Sequence, residues 1–197
     1  MKYKYIGIDG IDGCGKTTII NLLKGFLENK GYKVFVKKEP DILRDKIKEI
    51  INNDHNFDFY SGINLAILFS ADRYLQNKIV LEKLNQGYIV LSDRTYLSTF
   101  AYQSIYENFD IDWLINLNKY LIKPDIVFIL DLDPEIALNR INIRGDQKTS
   151  YERLEILKKV REKFLNLDKI IKDQKIVYIN ADRSPEEILK DITSYLV

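Results

Sequence analysis

Cysteine and histidine are nearly missing from this 197-residue sequence, one of each, and no sign of charge dominates. The lone Cys14 cannot close an internal disulfide and gives no basis for a thiolate metal site; it reads as a small residue tolerated in a glycine-rich stretch. His55 has no second histidine to join as a metal ligand, and its place in the loop 52–56 suggests a solvent-facing side chain. Thirty Lys and Arg against 29 Asp and Glu leave a formal net charge of +1, so the charge balance points to neither nucleic acid nor a membrane surface. No apolar run approaches the roughly eighteen residues of a membrane span. Met1-Lys2-Tyr3-Lys4 passes directly into a β-like run without the apolar core of a signal peptide, which predicts a cytoplasmic location. Internal repeats and low-complexity tracts are absent too.

What is present suits one α/β domain over residues 1–197, with 46% of residues hydrophobic and able to fill a core. The stretch Tyr5-Ile6-Gly7-Ile8-Asp9 is followed by Gly10-Ile11-Asp12-Gly13-Cys14-Gly15-Lys16-Thr17-Thr18. Gly10 to Thr17 satisfies G-x-x-x-x-G-K-[ST] between a β-rich and a helix-compatible run, the context that makes the motif a phosphate-binding loop. Glycines let successive backbone N–H groups converge on phosphate oxygens, and the helix opening near Gly15 adds the positive end of its dipole. Lys16 is placed to reach the β- and γ-phosphates, and the Thr17 hydroxyl to complete the oxygen shell of Mg²⁺.

Four further β-rich runs, at 33–36, 88–91, 126–130 and 176–179, alternate with helical segments. That alternation predicts a five-stranded parallel sheet covered on both faces, with ligands beyond the carboxyl ends of the strands. Helices are expected over Lys16–Asn29 (buried stripe Ile20, Leu23, Phe26, Leu27; stop at Gly31), Ile42–Ile51, Ser61–Asn85 (Leu65, Leu68, Leu75 and Ile79 inward), Thr95–Tyr106 and Glu155–Lys172. One more helix opens at Asp133-Pro134-Glu135, and a final one is capped by Ser184 with Pro185 at its first position.

Several polar residues fall at the strand ends or on one helix face. Asp93-Arg94 closes a strand, a carboxylate for a Mg²⁺-bound water beside a guanidinium fork for phosphate. Thr99, Tyr102 and Gln103 share a face just beyond and fit a small-molecule pocket. Phe69 and Arg73 are one turn apart, and by themselves read as a core ring and a surface charge. Arg140 and Arg144 share a face, the segment 145–150 interrupts the helix, and Arg153 is expected in the next. A glycine-hinged basic segment over about 140–153 is the form of a phosphoryl-transfer lid, and the loop 180–183 stands where it can border an adenine ring.

With those motifs in this order, the chain resembles the thymidylate kinases of the P-loop nucleoside monophosphate kinase group over essentially its whole length. The resemblance implies a P-loop NTPase-type three-layer α/β/α fold with a five-stranded parallel sheet and a short helical lid. It implies ATP and dTMP as substrates, Mg²⁺ as cofactor and a homodimer as the assembly, with no nucleic-acid or membrane partner. Residue by residue, it places Asp12 on the sugar 3′-hydroxyl or nearby metal waters, Phe69 on the thymine ring and Arg73 on the base carbonyl O4. Arg94 falls on the acceptor phosphate, Tyr102 lies under the sugar where it disfavours a 2′-hydroxyl, and Thr99 or Gln103 addresses the base. Lys48, Arg44 and Lys38 compete for the acceptor phosphate. Because Gly13 is uncharged, catalytic arginines are implied in the lid at Arg140, Arg144 and Arg153, acting with Lys16 and Arg94. The rival readings are a kinase for another deoxynucleotide or a nucleoside, and a nucleotide-dependent switch. The switch finds no support in a guanine-reading Asn-Lys-x-Asp string, which the sequence lacks.

Overall fold

In a computed structural model of the chain, which describes residues 1–54, 57–145, 149 and 151–196, all five expected strands form. They are β1 (Tyr5–Asp9), β2 (Val34–Lys38), β3 (Ile89–Asp93), β4 (Ile126–Asp131) and β5 (Ile176–Asn180). Their spatial order is β2-β3-β1-β4-β5, with every neighbouring pair parallel. Every residue of β1 and β3 is buried, which is why these runs read as continuous apolar stretches instead of alternating ones. His55 and most of the expected lid tip, residues 146–148 and 150, lie outside the described residues.

Helix α1 (Lys16–Asn29) begins and ends where its sequence predicts. Gly31, at φ +84°, donates to Glu28 O at 2.9 Å while Tyr32 N donates to Leu27 O at 3.1 Å, a left-handed stop that satisfies two terminal carbonyls. Its buried stripe includes Ile19, while Phe26 is only partly buried. The remaining helices are α2 (Arg44–Asn53), α3 (Phe59–Asn85), α4 (Tyr96–Gln103), α5 (Ile111–Leu117), α6 (Pro134–Arg144), α7 (Leu154–Phe164), α8 (Leu167–Ile170) and α9 (Pro185–Leu196). α1 packs on β1, β2, β3 and α9, whereas α3 packs on β3 and α4, and α4 on α7 and α8.

Several boundaries differ from the sequence expectation for identifiable reasons. β2 continues through Lys37 and Lys38, so both lysines belong to the sheet, with Lys37 buried. α2 starts two residues later than expected. α3 starts at Phe59 because Asp58 caps it, its carboxylate accepting from Ser61 N at 3.1 Å. Half of the expected inward face of α3 holds, with Leu65 buried and Leu68 packed partly buried against the core, but Leu75 and Ile79 are 53% and 40% exposed. The buried positions of α3 include Ser70, Asp72, Arg73 and Gln76; the first three are satisfied by other elements, the Asp72 carboxylate for example accepting from Leu43 N at 2.8 Å, and Gln76 donates to Asp72 one turn earlier at 2.6 Å. Apolar residues surround this helix nearly all the way round, so periodicity could not select the buried side. The expected helix 155–172 is two, α7 and α8, with the chain turning at Leu165-Asn166, where Asn166 Nδ2 bonds back to Glu162 O at 2.8 Å. α5 was not foreseen; its signal is the cap Asp110, which accepts from Trp113 N at 3.0 Å. Arg153 is the N-cap residue of α7, not a residue inside it.

Candidate active site

The loop between β1 and α1 bends around glycines for steric reasons. Gly13 has φ +82°, and a Cβ there would lie 2.4 Å from the Ala137 carbonyl of α6, so any side chain would both strain the backbone and push α6 away. Gly15, the N-cap, makes no side-chain cap to the first turn of α1, which leaves that turn's N–H groups for an anion. Lys16 Nζ lies over the loop, donating to Gly10 O at 3.0 Å and Ile11 O at 2.8 Å. Thr17 Oγ1 donates to Asp93 Oδ2 at 2.9 Å, so the two oxygens named from sequence for Mg²⁺ are adjacent. A hydroxyl beside a carboxylate is a hard-oxygen pair. Among the described residues no group of three His, Cys, Asp or Glu is gathered for a metal; the Thr17–Asp93 pair supplies the hard-oxygen donors that Mg²⁺ takes.

This loop lines a cavity of about 670 Å³ whose far wall carries Arg140 and Arg144 of α6, and whose edge is formed by Ala181, Arg183, Pro185 and Ile188. A second cavity, of about 370 Å³, opens beside it. Phe69, Arg73, Thr99 and Gln103 line one part of it, and Lys38, Arg44 and Lys48 another. Asp12, Lys38, Arg94 and Arg144 line both cavities, so the two spaces meet at one acid and three cations.

At that junction Arg94, whose φ is +74°, donates through Nη2 to Asp12 Oδ1, and its guanidinium lies 5.1 Å from the centre of the Tyr102 ring. Burial alone would raise the Asp12 carboxyl, but the charges of Arg94 and Lys16 outweigh it and hold its pKa below the ordinary value. Burial, reinforced by Asp12, raises the Tyr102 phenol well above its ordinary value; it stays protonated and donates to Asp12 Oδ2 at 3.1 Å. Behind the junction, Asp9 is fully buried at the end of β1 and accepts from the hydroxyls of Thr95 and Ser98. Burial pushes its pKa up against those two hydrogen bonds. Thr95 also caps α4, accepting from Leu97 N at 3.2 Å, so Asp9 ties the start of α4 to the strand that carries the phosphate loop.

Arg73 corrects the expectation of a surface charge. It is 3% exposed; its Nε donates to Glu39 Oε2, its Nη1 to Thr99 Oγ1 at 2.6 Å and its Nη2 to Thr95 O at 3.0 Å. Lys37 Nζ holds the other oxygen of Glu39 at 2.6 Å. The guanidinium lies 5.7 Å from the centre of the Phe69 ring, and Phe69 is a half-buried wall of the cavity, not core. Two cations sharing one carboxylate keep a buried Arg facing a cavity with a fixed fork.

Residues 8–192 match the family model described as Thymidylate kinase. The chain belongs to the thymidylate kinase family. It is 37% identical over 197 residues to "Probable thymidylate kinase" of Thermococcus gammatolerans, covering 95% of this chain and 93% of that one. The protein of the same printed name from Pyrococcus horikoshii is 38% identical over 200 residues, 98% and 96% of the two chains. That from Sulfolobus acidocaldarius is 37% identical over 192 residues, 96% and 94%.

In this family member the cavities gather almost every residue singled out from sequence: the loop from Asp12 to Thr18, Lys38, Arg44, Lys48, Phe69, Arg73, Asp93, Arg94, Thr99, Tyr102, Gln103, Arg140 and Arg144. Gly10 and Ile11 stand behind the loop, their carbonyls on Lys16. Arg153 is exposed and lines neither cavity. Asp9 and Glu39 stand out in the sequence as carboxylates at the carboxyl ends of parallel strands but were given no role there, and Tyr151 and Glu152 were not assigned. Tyr151 and Glu152 carried no signal, because the segment that brings them to the cavity has no periodicity to read.

Proposed function

We propose that the protein transfers the γ-phosphoryl group of ATP to dTMP, giving ADP and dTDP, as a single kinase unit over residues 1–197 with a lid at about 140–153. The observation that carries this reading is the meeting of a phosphate-loop cavity with a second, base-sized cavity at Asp12, Lys38, Arg94 and Arg144. Two nucleotides entering from opposite sides bring their phosphates together there.

ATP lies with its phosphates on the loop N–H groups and Lys16, and its base toward Arg183, Pro185 and Ile188. The thymine ring stacks on Phe69 while Arg73 donates to O4, and Tyr102 fills the space a 2′-hydroxyl would need. Asp12 accepts from the 3′-hydroxyl. Arg44, Lys48 and Lys38 hold the dTMP phosphate, with Arg44 favoured over the exposed lysines because its Nε is already fixed on Pro40 O at 3.1 Å. An oxygen of that phosphate is ionised at neutral pH and is itself the nucleophile, so no general base is required. It bonds to the γ-phosphorus as the bond from that phosphorus to the β–γ bridging oxygen breaks, and the electron pair leaves on ADP. Arg94 spans acceptor and donor, and Arg140 and Arg144 neutralise charge on the donor side, with Arg153 brought in by the lid. Mg²⁺ beside Thr17, with Asp93 behind it through water, would neutralise β- and γ-phosphate charge and align the transfer.

We also propose a cytoplasmic homodimer. Ile67, Leu75 and Ile79 are 43%, 53% and 40% exposed on α3, an apolar stripe at four- and eight-residue spacing that a second copy would cover. The test of the catalytic reading is a pair of variants assayed for ADP release. Lys16→Ala is expected to lower kcat by about 100-fold or more, the scale of losing a positioned charge at the transferred group; Arg73→Ala is expected to raise the dTMP KM with the ATP KM unchanged. Intact turnover in Lys16→Ala contradicts the proposal.

A further inference from the structure

One end of the acceptor cavity is closed by a chain of hydrogen bonds that the transfer reaction does not itself use. Asp54, which follows α2, accepts the Tyr106 hydroxyl on Oδ2 at 2.6 Å. The Tyr106 and Tyr151 hydroxyl oxygens are 2.9 Å apart. The Tyr151 oxygen accepts from Gln103 Nε2 at 3.1 Å. All four residues are buried, none more than 4% exposed. Phe57 packs its ring 5.6 Å from that of Tyr106 and 5.5 Å from that of Tyr151, so both hydroxyls are held in place by packed rings.

Counting protons fixes the direction of every link. The Asp54 carboxylate accepts at both ends, since Oδ1 takes the Asp58 N–H at 3.3 Å. Tyr106 therefore spends its one proton on Asp54, and the contact between the two phenols must use the proton of Tyr151. Tyr151 then has only a lone pair left for Gln103. If the amide were turned over, Tyr151 would have to donate to Gln103 Oε1, and the two phenol oxygens would face each other at 2.9 Å with no proton between them. Burial raises the pKa of both phenols well above the ordinary value; Tyr151 and Asp54 raise Tyr106 further, while Tyr106 and Gln103 lower Tyr151 by less than burial raises it, so neither proton is lost. The amide thus keeps Nε2 on Tyr151. Among the described residues Gln103 Oε1 is the one buried side-chain N or O atom left without a partner, on a residue that lines the acceptor cavity.

We propose that Asp54, Tyr106 and Tyr151 are positioning residues, a proton-ordered relay that holds Gln103 with its carbonyl oxygen toward the acceptor base and so selects a base carrying an N–H at that edge. The inference rests on the dTMP reading above and deepens it. Arg73 offers a donor and Gln103 an acceptor, directly or through one water. That order matches the O4 acceptor and N3–H donor of thymine or uracil, and it opposes the N4 donor and N3 acceptor of cytosine. A site whose buried polar group is left unpaired by the wrong ligand rejects it more strongly than shape alone does.

Asp54→Asn tests the relay because it reverses it. Asp58 N–H demands an acceptor, so the new side chain keeps its oxygen there and presents Nδ2 to Tyr106. Tyr106 then donates to Tyr151, Tyr151 to Gln103, and the amide turns its Nε2 toward the base. Purified wild type, Asp54→Asn and Tyr106→Phe are assayed for kcat/KM with dTMP and with dCMP at saturating ATP, and for the KM of ATP. The expected result is a fall of about tenfold or more in the dTMP-to-dCMP ratio for Asp54→Asn, a smaller fall for Tyr106→Phe, which keeps the ring and frees the amide, and an unchanged ATP KM in both. A purely structural role would lower both acceptors together; an unchanged ratio in variants that retain activity overturns the relay. If Asp54→Asn does not fold, the ratio in Tyr106→Phe decides. A wild-type enzyme with no preference for dTMP over dCMP overturns the base reading and the relay with it, and is distinguished from failure of the relay alone because the latter leaves the wild-type preference intact.

Discussion

In the proposed function Arg73 donates to the acceptor base, and its burial sets what removing it should do. Its guanidinium is one of two cations on Glu39, and Thr99 and the Thr95 carbonyl each take one Nη N–H, which leaves one N–H on each Nη for a ligand. Arg73→Ala removes the proposed base contact and also leaves a buried carboxylate with one partner instead of two, so the KM for dTMP is expected to rise about 10- to 200-fold and the protein to lose about 3 kcal/mol of stability. Steady-state kinetics and chemical denaturation check the two parts separately. Asp12 gives a prediction in pH. Its folded pKa lies below the ordinary value because Arg94 and Lys16 outweigh burial, so the folded state prefers the ionised form. The stability it contributes is present above the ordinary carboxylate range and is lost as pH falls through the lowered pKa. The melting temperature should therefore drop as pH is taken below about 4, and Asp12→Asn should lack that component of the drop; a parallel pH profile for the two proteins would contradict the assignment.

Helices and strands show how much of the site could be read from sequence. The phosphate loop was legible because its glycines, lysine and threonine act through local backbone geometry, and α1 follows with its own stop signal at Gly31. The strands β1, β3 and β4 were legible because burial on both faces writes largely apolar runs, and the half-buried edge strands β2 and β5 through their β-branched and aromatic residues. The extent of α3 was legible but part of its buried face was not, because apolar residues circle it and Ser70, Asp72, Arg73 and Gln76 are buried beside Leu65, Ala66 and Val80: Arg73 is inside because Glu39, from a strand end 34 positions away, meets it there. Tyr151 was hidden for the same reason, its partners Gln103 and Tyr106 lying 48 and 45 positions earlier. Long-range pairing of polar groups leaves no local period. The packing of α3 on the segment after α4 is itself testable, since a Cβ on Gly62 would come within 2.7 Å of the Tyr106 ring. Gly62→Ala is expected to destabilise by about 1–3 kcal/mol through that overpacking, read as a lowered denaturation midpoint with the slope unchanged.

At the scale of the whole molecule, a parallel sheet gathers loops from distant parts of the chain at the carboxyl ends of its strands, and the two cavities meet where β1 and β3 end, at Asp12 and Arg94. The proposed dimer face lies on the exposed side of α3, whose other side carries Arg73. Leu75→Lys is expected to shift the sedimentation behaviour from two copies toward one, and a wild-type protein sedimenting as a monomer across micromolar concentrations would remove the dimer from the account. The central claim is that the second cavity takes the monophosphate of thymidine and that the junction passes it a phosphoryl group. The most direct test is ADP release with ATP and Mg²⁺ in the presence of dTMP, UMP, dCMP, thymidine or no acceptor. The account predicts rapid release with dTMP, accompanied by dTDP, and release at least about tenfold slower with each of the others. Equal release with all of them, or with none added, would contradict it.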